Sequence, residues 1–461
     1  MKALRDPQQL LAGGLADIRA QFKVPDGFPP EVLAAADKSA ARPLTEHADR
    51  TERPFVTLDP ATSTDLDQAF AIEGAGTDLL LHYAIADVAW FVRDGDPIDV
   101  EAWQRGTTIY LPDGKAGLYP PRLVEGAASL LPDGPRPAVV FTVRVAPDGA
   151  VKLDGAERAI IRSRAKLAYE TVIPAQLPED FAEFANRIGA AEDRRGAARV
   201  DPPEQVVEHD ADGQFTLRLR PQLQSELDNA AMSLATNLAV ADALLAAHTG
   251  LFRVMAAPDQ GAVARLRHTA RAFGLEWPAA MPLDQFERRL NPTDPRHSAF
   301  MLAIRRAGNG ATYEAWQPGR LPWHSAMAAT YAHATAPLRR LADRYVVRAA
   351  LAVANGQPVP SEVTDAFTRL PAVMQKTEAR ASQIERAVVD LAEAALLSGR
   401  EGESFDALVT DLGPNGARIQ LCDLPVVARS VAHSVVPGDR IRVKLDGADI
   451  ARRELRFERV G

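Results

Sequence analysis

"FVTLDPATSTDLDQAF", residues 55–70, places Asp59, Asp65 and Asp67 within nine positions beside an apolar run. The β-branched and aromatic residues of "FVTL" predict a strand that ends at Asp59, and "PATST" predicts the turn after it. If the chain returns to a strand at "DLDQAFAIE", Asp65 and Asp67 stand two apart and point to the same side. Three carboxylates then converge on one small volume. Such a cluster is unfavourable unless cations neutralise it or protons do. Ligands that are all oxygen suit Mg²⁺, with Mn²⁺ as a substitute, better than zinc. A calcium EF-hand is excluded: counted from Asp59, the sixth position is Thr64 where glycine is needed and the twelfth is Phe70 where glutamate is needed. An isolated acidic turn is more often simply solvated, so the reading needs a partner elsewhere in the chain.

Working outward, residues 52–160 hold short β-branched and aromatic runs, "PFVTL", "QAFAIE", "DLLLHYAIADVAWFV" and "AVVFTVRV", broken by "LPDG" and "APDG". These predict a sheet. From about 222 to 400 helical periodicity dominates, including the long "SEVTDAFTRLPAVMQKTEARASQIERAVVDLAEAALLSG". The tail returns to short strands, "FDALVTDLGPNGARIQL", "PVVARS", "GDRIRVKLDGAD" and "ELRFERV", the pattern of a small barrel of the OB type. Before all of this, "DPQQLLAGGLADIRAQF" sets Leu11, Leu15, Ile18 and Phe22 at helical spacing after a candidate Asp6 cap and Pro7, and "PPEVLAAADKSAA" predicts a second short helix. The fold class expected is α+β: a small N-terminal helical module over 1–48, helix-turn-helix-like or a packing arm; a mixed catalytic domain, a sheet packed by helices, over 49–400; and a C-terminal β-barrel (OB fold) over 401–461.

The partner for the acids is "YAHATAPLRRLADRYVVR", residues 331–348. Thr335 is a candidate cap and Pro337 suits a first helical turn. Arg339 and Arg340 then fall in that turn, where cations oppose the helix dipole. A helix start with free amides and two guanidiniums suits a phosphate. Carboxylates for a metal and arginines for a phosphate are the two halves of a metal-assisted phosphodiesterase.

The net charge of −8 argues on its face against nucleic acid, although an acidic metal site and a basic groove coexist readily in one chain. Only eight of the 53 basic residues are lysine; base composition of the genome explains that bias, and arginine also grips phosphate with a planar fork. The single cysteine, Cys422, excludes an intrachain disulfide. The first residues lack the apolar core of a signal peptide, and "AAMSLATNLAVADALLAAH", which carries Asn237 and Asp242, reads as a buried helix rather than a membrane span. A cytoplasmic monomer with no membrane association and no obligate protein partner is expected.

Several ordered motifs resemble the ribonuclease II family, whose catalytic (RNB) domain carries an "ID-x5-D-x-DDA" signature. Here that stretch is "LDPATSTDLDQA", followed in family order by "LLLHYAIADVAWFV", "DVEAWQRGTTIYLPD", "ASLLPDGPRPAVVF", "SRAKLAYE" and "YAHATAPLRRLAD". The resemblance covers about residues 50–400, and the tail is similar to the family's RNA-binding OB domain. It implies a processive 3′→5′ exoribonuclease that hydrolyses single-stranded RNA from its 3′ end to nucleoside 5′-monophosphates with Mg²⁺. By position, Asp59, Asp65 and Asp67 match the family's first three acids, and Arg339 matches the arginine at the scissile phosphate, with Arg340 its basic neighbour. Tyr110 matches the aromatic that stacks on the 3′-terminal base, Tyr169 a tyrosine near the ribose, and Glu385 a helix glutamate near the 3′ end. In the general two-metal arrangement the ions lie about 4 Å apart.

This chain departs from the family in three places. Gln68 stands where a fourth aspartate is usual, so the amide is expected to ligate one metal more weakly or through water, and Gln68→Asp to lower the Mg²⁺ requirement. "ATAPLRRL" replaces "FTSPIRRY". About 50 residues stand where two cold-shock-type domains usually precede the catalytic domain, which implies a more open path and tolerance of structured RNA. Two rival readings are a catalytically impaired RNA-binding or regulatory protein on the same fold, and a DNA-binding regulator built on the N-terminal helices.

Overall fold

A computed structural model describes residues 10–198, 204–209, 215–220, 222–291, 294–308, 310–413 and 416–460. The candidate cap at Asp6 and Pro7 lies outside the described residues.

The centre is a seven-stranded sheet. Its strands are β1 (Ala48–Asp49), β2 (Phe55–Asp59), β3 (Gln68–Ala75), β4 (Asp78–Ala86), β7 (Arg136–Val145), β8 (Val151–Ile161) and β9 (Ser163–Ala168), in the order β1-β8-β7-β4-β3-β2-β9. A separate hairpin, β5 (Ile109–Leu111) and β6 (Gly114–Ala116), intervenes in the chain. β3 and β4 run antiparallel from Gln68 opposite Ile85 to Ala75 opposite Asp78, closed by a turn in which Gly76 takes φ +68°. β2 and β9 pair parallel, as do β1 and β8. Because β2 ends at Asp59 and β3 begins at Gln68, the acidic bend lies at one end of adjacent sheet strands. The run "DLLLHYAIADVAWFV", expected as one strand, stops at Ala86. Asp87 caps a short helix, Val88–Phe91, by accepting from the Trp90 amide at 3.2 Å, which ends the extended run.

Helix α3 (Gln224–Ala246) packs across β7 and β8 and against α4 (Leu341–Ala354). It is long and apolar enough to cross a membrane by length and composition, yet most of it is buried in this core. Two of the polar residues that interrupt its apolar run are satisfied there. Asn237 accepts from the Ala334 amide at 2.9 Å and donates to the Tyr331 hydroxyl at 3.1 Å, and Asp242 accepts from Thr330 at 2.9 Å. Helix α5 (Ser361–Leu397) runs unbroken through Pro371 and acts as a spine. Val363, Phe367 and Met374 join the main core, Ile384, Val388 and Leu391 a second cluster, and Leu397 the core of the C-terminal barrel.

That barrel closes five strands, β10 (Ser404–Gly413), β11 (Gly416–Leu421), β12 (Val427–Val431), β13 (Arg440–Asp449) and β14 (Glu454–Arg459), in the order β10-β11-β12-β14-β13. Strict alternation builds it: Ile441, Val443 and Leu445 are buried while Arg440, Arg442 and Lys444 are exposed.

The N-terminal helices α1 (Leu10–Gln21) and α2 (Pro30–Ala40) share no core of their own. Leu11, Leu15 and Ile18 of α1 pack with Ile109 and Leu111 of β5 and Leu391 of α5, whereas Val32 and Ala36 of α2 join the main core. Two such short helices cannot enclose a hydrophobic interior, so each docks on the larger body.

Candidate active site

The acidic bend and the arginine stretch meet around a cavity of about 710 Å³. Asp59, Asp65, Asp67, Gln68, Tyr110, Tyr169, Arg339 and Arg340 all border it. Of the residues singled out from sequence, Glu385 alone does not line it and lies exposed on α5.

The helix carrying the arginines starts at Leu341, not at Thr335, so Arg339 and Arg340 sit in the loop before it. That loop folds onto carboxylates instead of presenting free amides. The Leu338 amide donates to Asp67 Oδ1 at 2.7 Å, and the Ala336 amide to Asp343 Oδ2 at 2.8 Å. Arg340 is forked onto Asp343, at 2.9 and 2.7 Å. Its charge is thereby neutralised locally, which weakens its claim on RNA. Arg339 donates its Nε to Asp67 Oδ2 at 3.2 Å and keeps its side chain 46% exposed; a guanidinium held at Nε retains two further nitrogens, which suit a phosphate. Its carbonyl is pinned in turn by the Thr108 amide at 3.0 Å and the Thr107 hydroxyl at 2.9 Å.

Each acid has a different setting. Burial pushes the Asp67 carboxyl up to about 7, against the opposing pull of Arg339 and the Leu338 amide. Burial likewise raises Asp59 to about 6, with Arg339 opposing and Asp65 adding to the rise. Asp65 takes Lys115 Nζ on Oδ1 at 2.9 Å and the Tyr110 hydroxyl on Oδ2 at 3.2 Å. Lys115 also reaches Glu125 at 3.0 Å. Tyr110 is on the outward side of β5, 54% exposed, between the buried Ile109 and Leu111. The Tyr169 hydroxyl accepts from Asn229 Nδ2 at 2.7 Å, and burial raises its pKa.

Gln68 is bonded at both ends of its amide. Its Oε1 accepts from the Tyr83 hydroxyl at 2.7 Å and its Nε2 donates to the Thr335 carbonyl at 2.5 Å. Both ends of the amide have protein partners, so Gln68 ties β3 to the arginine loop. Asp59 Oδ2, by contrast, is buried with no hydrogen-bond partner. An orphaned carboxylate oxygen among hard oxygen donors fits a divalent cation. Among the described residues no group of three His, Cys, Asp or Glu forms a ready cation cage.

Sequence reasoning missed Lys115, Asn229, Ser233 and His333. Asn229 and Ser233 border the cavity from α3, where polar residues interrupting an apolar helix were the available signal. Ser233 shares the Tyr83 hydroxyl at 2.8 Å. Lys115 follows an "LPDG" turn signal and carries no periodic mark of its partner.

A family model described as RNB domain matches residues 47–355, and one described as RNase II-type exonuclease C-terminal S1 domain matches residues 403–460. The chain is 25% identical over 447 residues to ribonuclease R of Thermotoga maritima, covering 88% of this chain and 61% of that protein. In structure it is similar to Mycoplasma genitalium RNase R in complex with ribose-methylated single-stranded RNA, with a TM-score of 0.86 at 20% identity over 100% of this chain and 79% of that one. The same enzyme in complex with double-stranded RNA gives 0.84 at 22% identity, over 100% and 85%.

Proposed function

This chain belongs to the RNB-domain family, and on that footing we propose that it is a processive 3′→5′ exoribonuclease, hydrolysing single-stranded RNA to nucleoside 5′-monophosphates with the help of Mg²⁺ or Mn²⁺. The observation that carries the reading is the meeting of Asp59, Asp65 and Asp67 with Arg339 around one cavity.

Each residue has a task in that reading. Tyr110, on the rim, stacks against the last base. Tyr169, held by Asn229, faces the ribose and is the candidate for sensing its 2′-hydroxyl, the group that distinguishes RNA from DNA. Arg339, oriented by Asp67, stabilises the charge that grows on the phosphorus oxygens during attack. Asp59, beside Asp65 and Asp67, would hold a divalent ion, which would supply Lewis-acid charge neutralisation and lower the pKa of a water at neutral pH. The barrel guides the strand. Arg418 on β11 and Arg429 on β12 are direct cross-strand partners, both exposed, and like charges so opposed are destabilising unless an anion lies over them.

The named RNase R structure holds double-stranded RNA in one case and single-stranded RNA in another, and tolerance of structured RNA is part of the proposal for this chain. Digesting duplexes with graded 3′ overhangs tests it: continued release of mononucleotides from short overhangs is expected, and stalling far from the duplex counts against it.

The decisive experiment incubates end-labelled single-stranded RNA with the protein and Mg²⁺, wild type beside Asp67→Asn. Ladder-free release of mononucleotides by the wild type and its loss in the variant are expected. One observation favours a second reading, a binding protein with impaired catalysis: Gln68 replaces an acid and its amide is committed to Tyr83 and Thr335. A wild type that binds 3′ ends tightly and releases nothing with either ion would establish that reading.

A further inference from the structure

We propose that Lys115 occupies the electrostatic role of one of the two divalent cations, so that this site takes up a single ion, at Asp59. The inference rests on the reading of the site as a metal-assisted phosphodiesterase.

Asp67 gives Oδ1 to the Leu338 amide and Oδ2 to Arg339. Asp65 gives Oδ1 to Lys115 Nζ at 2.9 Å and Oδ2 to Tyr110. Gln68 brings no charge, and both ends of its amide are bonded within the protein. Asp59 Oδ2 remains buried and unpaired. Lys166 lies close enough to act on Asp59 through space, but its ammonium donates to the Ala61 carbonyl at 2.8 Å. The carboxylate pair that would hold a second ion is therefore altered in two places. One member is replaced by an amide and the other is bonded to an ammonium.

Lys115 is built into that position. It sits on β6, with its side chain 24% exposed, anchored from the other side by Glu125 at 3.0 Å. The hairpin beneath it is fixed through Ile109, Leu111 and Ala116 in the cluster formed with α1 and α5. The bidentate pair of Arg19 with Asp113, at 3.0 and 2.9 Å, ties the turn of the hairpin to α1. A single Mg²⁺ held by one carboxylate, waters and substrate phosphate is ordinary coordination for that ion. Lys115 does not border the cavity and is a charge-compensating residue, not a catalytic one.

The test titrates Mn²⁺ into the metal-free full-length chain without RNA and reads free Mn²⁺ by its paramagnetic resonance signal. One ion per chain is expected for wild type and for Lys115→Arg. For Lys115→Met, which frees Asp65, two are expected, the second at least about tenfold tighter than any second site in the wild type. Thermal melting verifies that each variant is folded. Two ions of comparable affinity on the wild type would overturn the inference without any variant, and so would a Lys115→Met titration indistinguishable from wild type. Uptake of no ion by wild type and variant alike would overturn both this inference and the metal-assisted reading beneath it.

Discussion

Arg339 donates its Nε to Asp67 at 3.2 Å across 272 positions of the chain, and that one bond joins the sheet's acidic bend to the loop that presents a guanidinium to the cavity. The planar fork serves two partners at once: Nε holds Asp67, and the terminal nitrogens are left for a phosphate. Lys at 339 keeps the charge and loses the fork. Arg339→Lys is therefore expected to lower kcat by about 10²-fold, the scale for removing one aimed donor in an oxyanion-stabilising site, while KM for a single-stranded 3′ end changes only a few-fold. Steady-state release of mononucleotides measures both. A rise in KM with kcat unchanged would show that Arg339 binds the ground state and not the developing charge.

Gln68 donates to the Thr335 carbonyl and accepts from Tyr83, so Gln68→Asp reverses what the motif alone suggests. A carboxylate retains the acceptor for Tyr83 but sets a second oxygen, or a shorter arm, toward the Thr335 carbonyl. The lost donor leaves a buried acceptor unpaired, at a cost of about 1–3 kcal/mol. A lower melting temperature is expected with no gain in Mg²⁺ affinity. A Mg²⁺ titration of activity that shifts to lower concentration would revive the metal-ligand role.

How far the fold could be read in advance depended on the range of the interaction. The strand alternation of Ile441, Val443 and Leu445 against Arg440, Arg442 and Lys444 is a local period, and it marked the barrel. The gathering of Asp59, Asp65 and Asp67 was legible for the same reason: they lie on one bend. The arginine loop misled because Thr335 and Pro337 carry good local helix-start chemistry, while Asp67 competes for the Leu338 amide from a distant strand. Gln68 was read by residue type alone and Lys115 was not singled out, and their partners lie 267 and 50 positions away. No periodicity encodes such pairs. Asp87 could have been found, since an aspartate followed by an apolar run is a cap signal, but the strand pattern before it dominated.

Helix α1 approaches α5 so closely that a Cβ on Gly14 would sit 2.5 Å from Leu391 Cδ1. Leu391 is fully buried and has little room to withdraw. Gly14→Val is expected to destabilise the chain by roughly 1–3 kcal/mol through overpacking. Because α1 shares its cluster with Ile109 and Leu111, the same variant should displace the hairpin that carries Tyr110. The expected signature is a KM for short oligoribonucleotides raised more than kcat is lowered, in protein still folded by circular dichroism. A variant with wild-type melting and wild-type kinetics would mean that α1 is a passive appendage.

Glu393 gives a pH signature to the joint between barrel and catalytic domain. It lies on α5, 3% exposed, and its Oε1 accepts from the Val427 amide at 2.7 Å and from Gln205 Nε2 at 2.6 Å. Burial raises its pKa from 4.5 to about 8; these two hydrogen bonds oppose the rise, Asp390 adds to it and Arg418 opposes it. The folded chain therefore keeps a proton between pH 4.5 and 8 that the unfolded chain has released, so stability is full below that window and declines as pH rises through it. Glu393→Gln keeps the carbonyl acceptor and cannot ionise. At pH 5 the variant should melt close to wild type; at pH 8.5 it should melt higher, by an amount equivalent to a few kcal/mol at most, since one pKa unit is about 1.4 kcal/mol. Melting curves at the two values measure the difference. A gap between variant and wild type that does not widen with pH would mean that Glu393 is ionised in the folded chain and that the barrel is held at this joint by a charged acceptor.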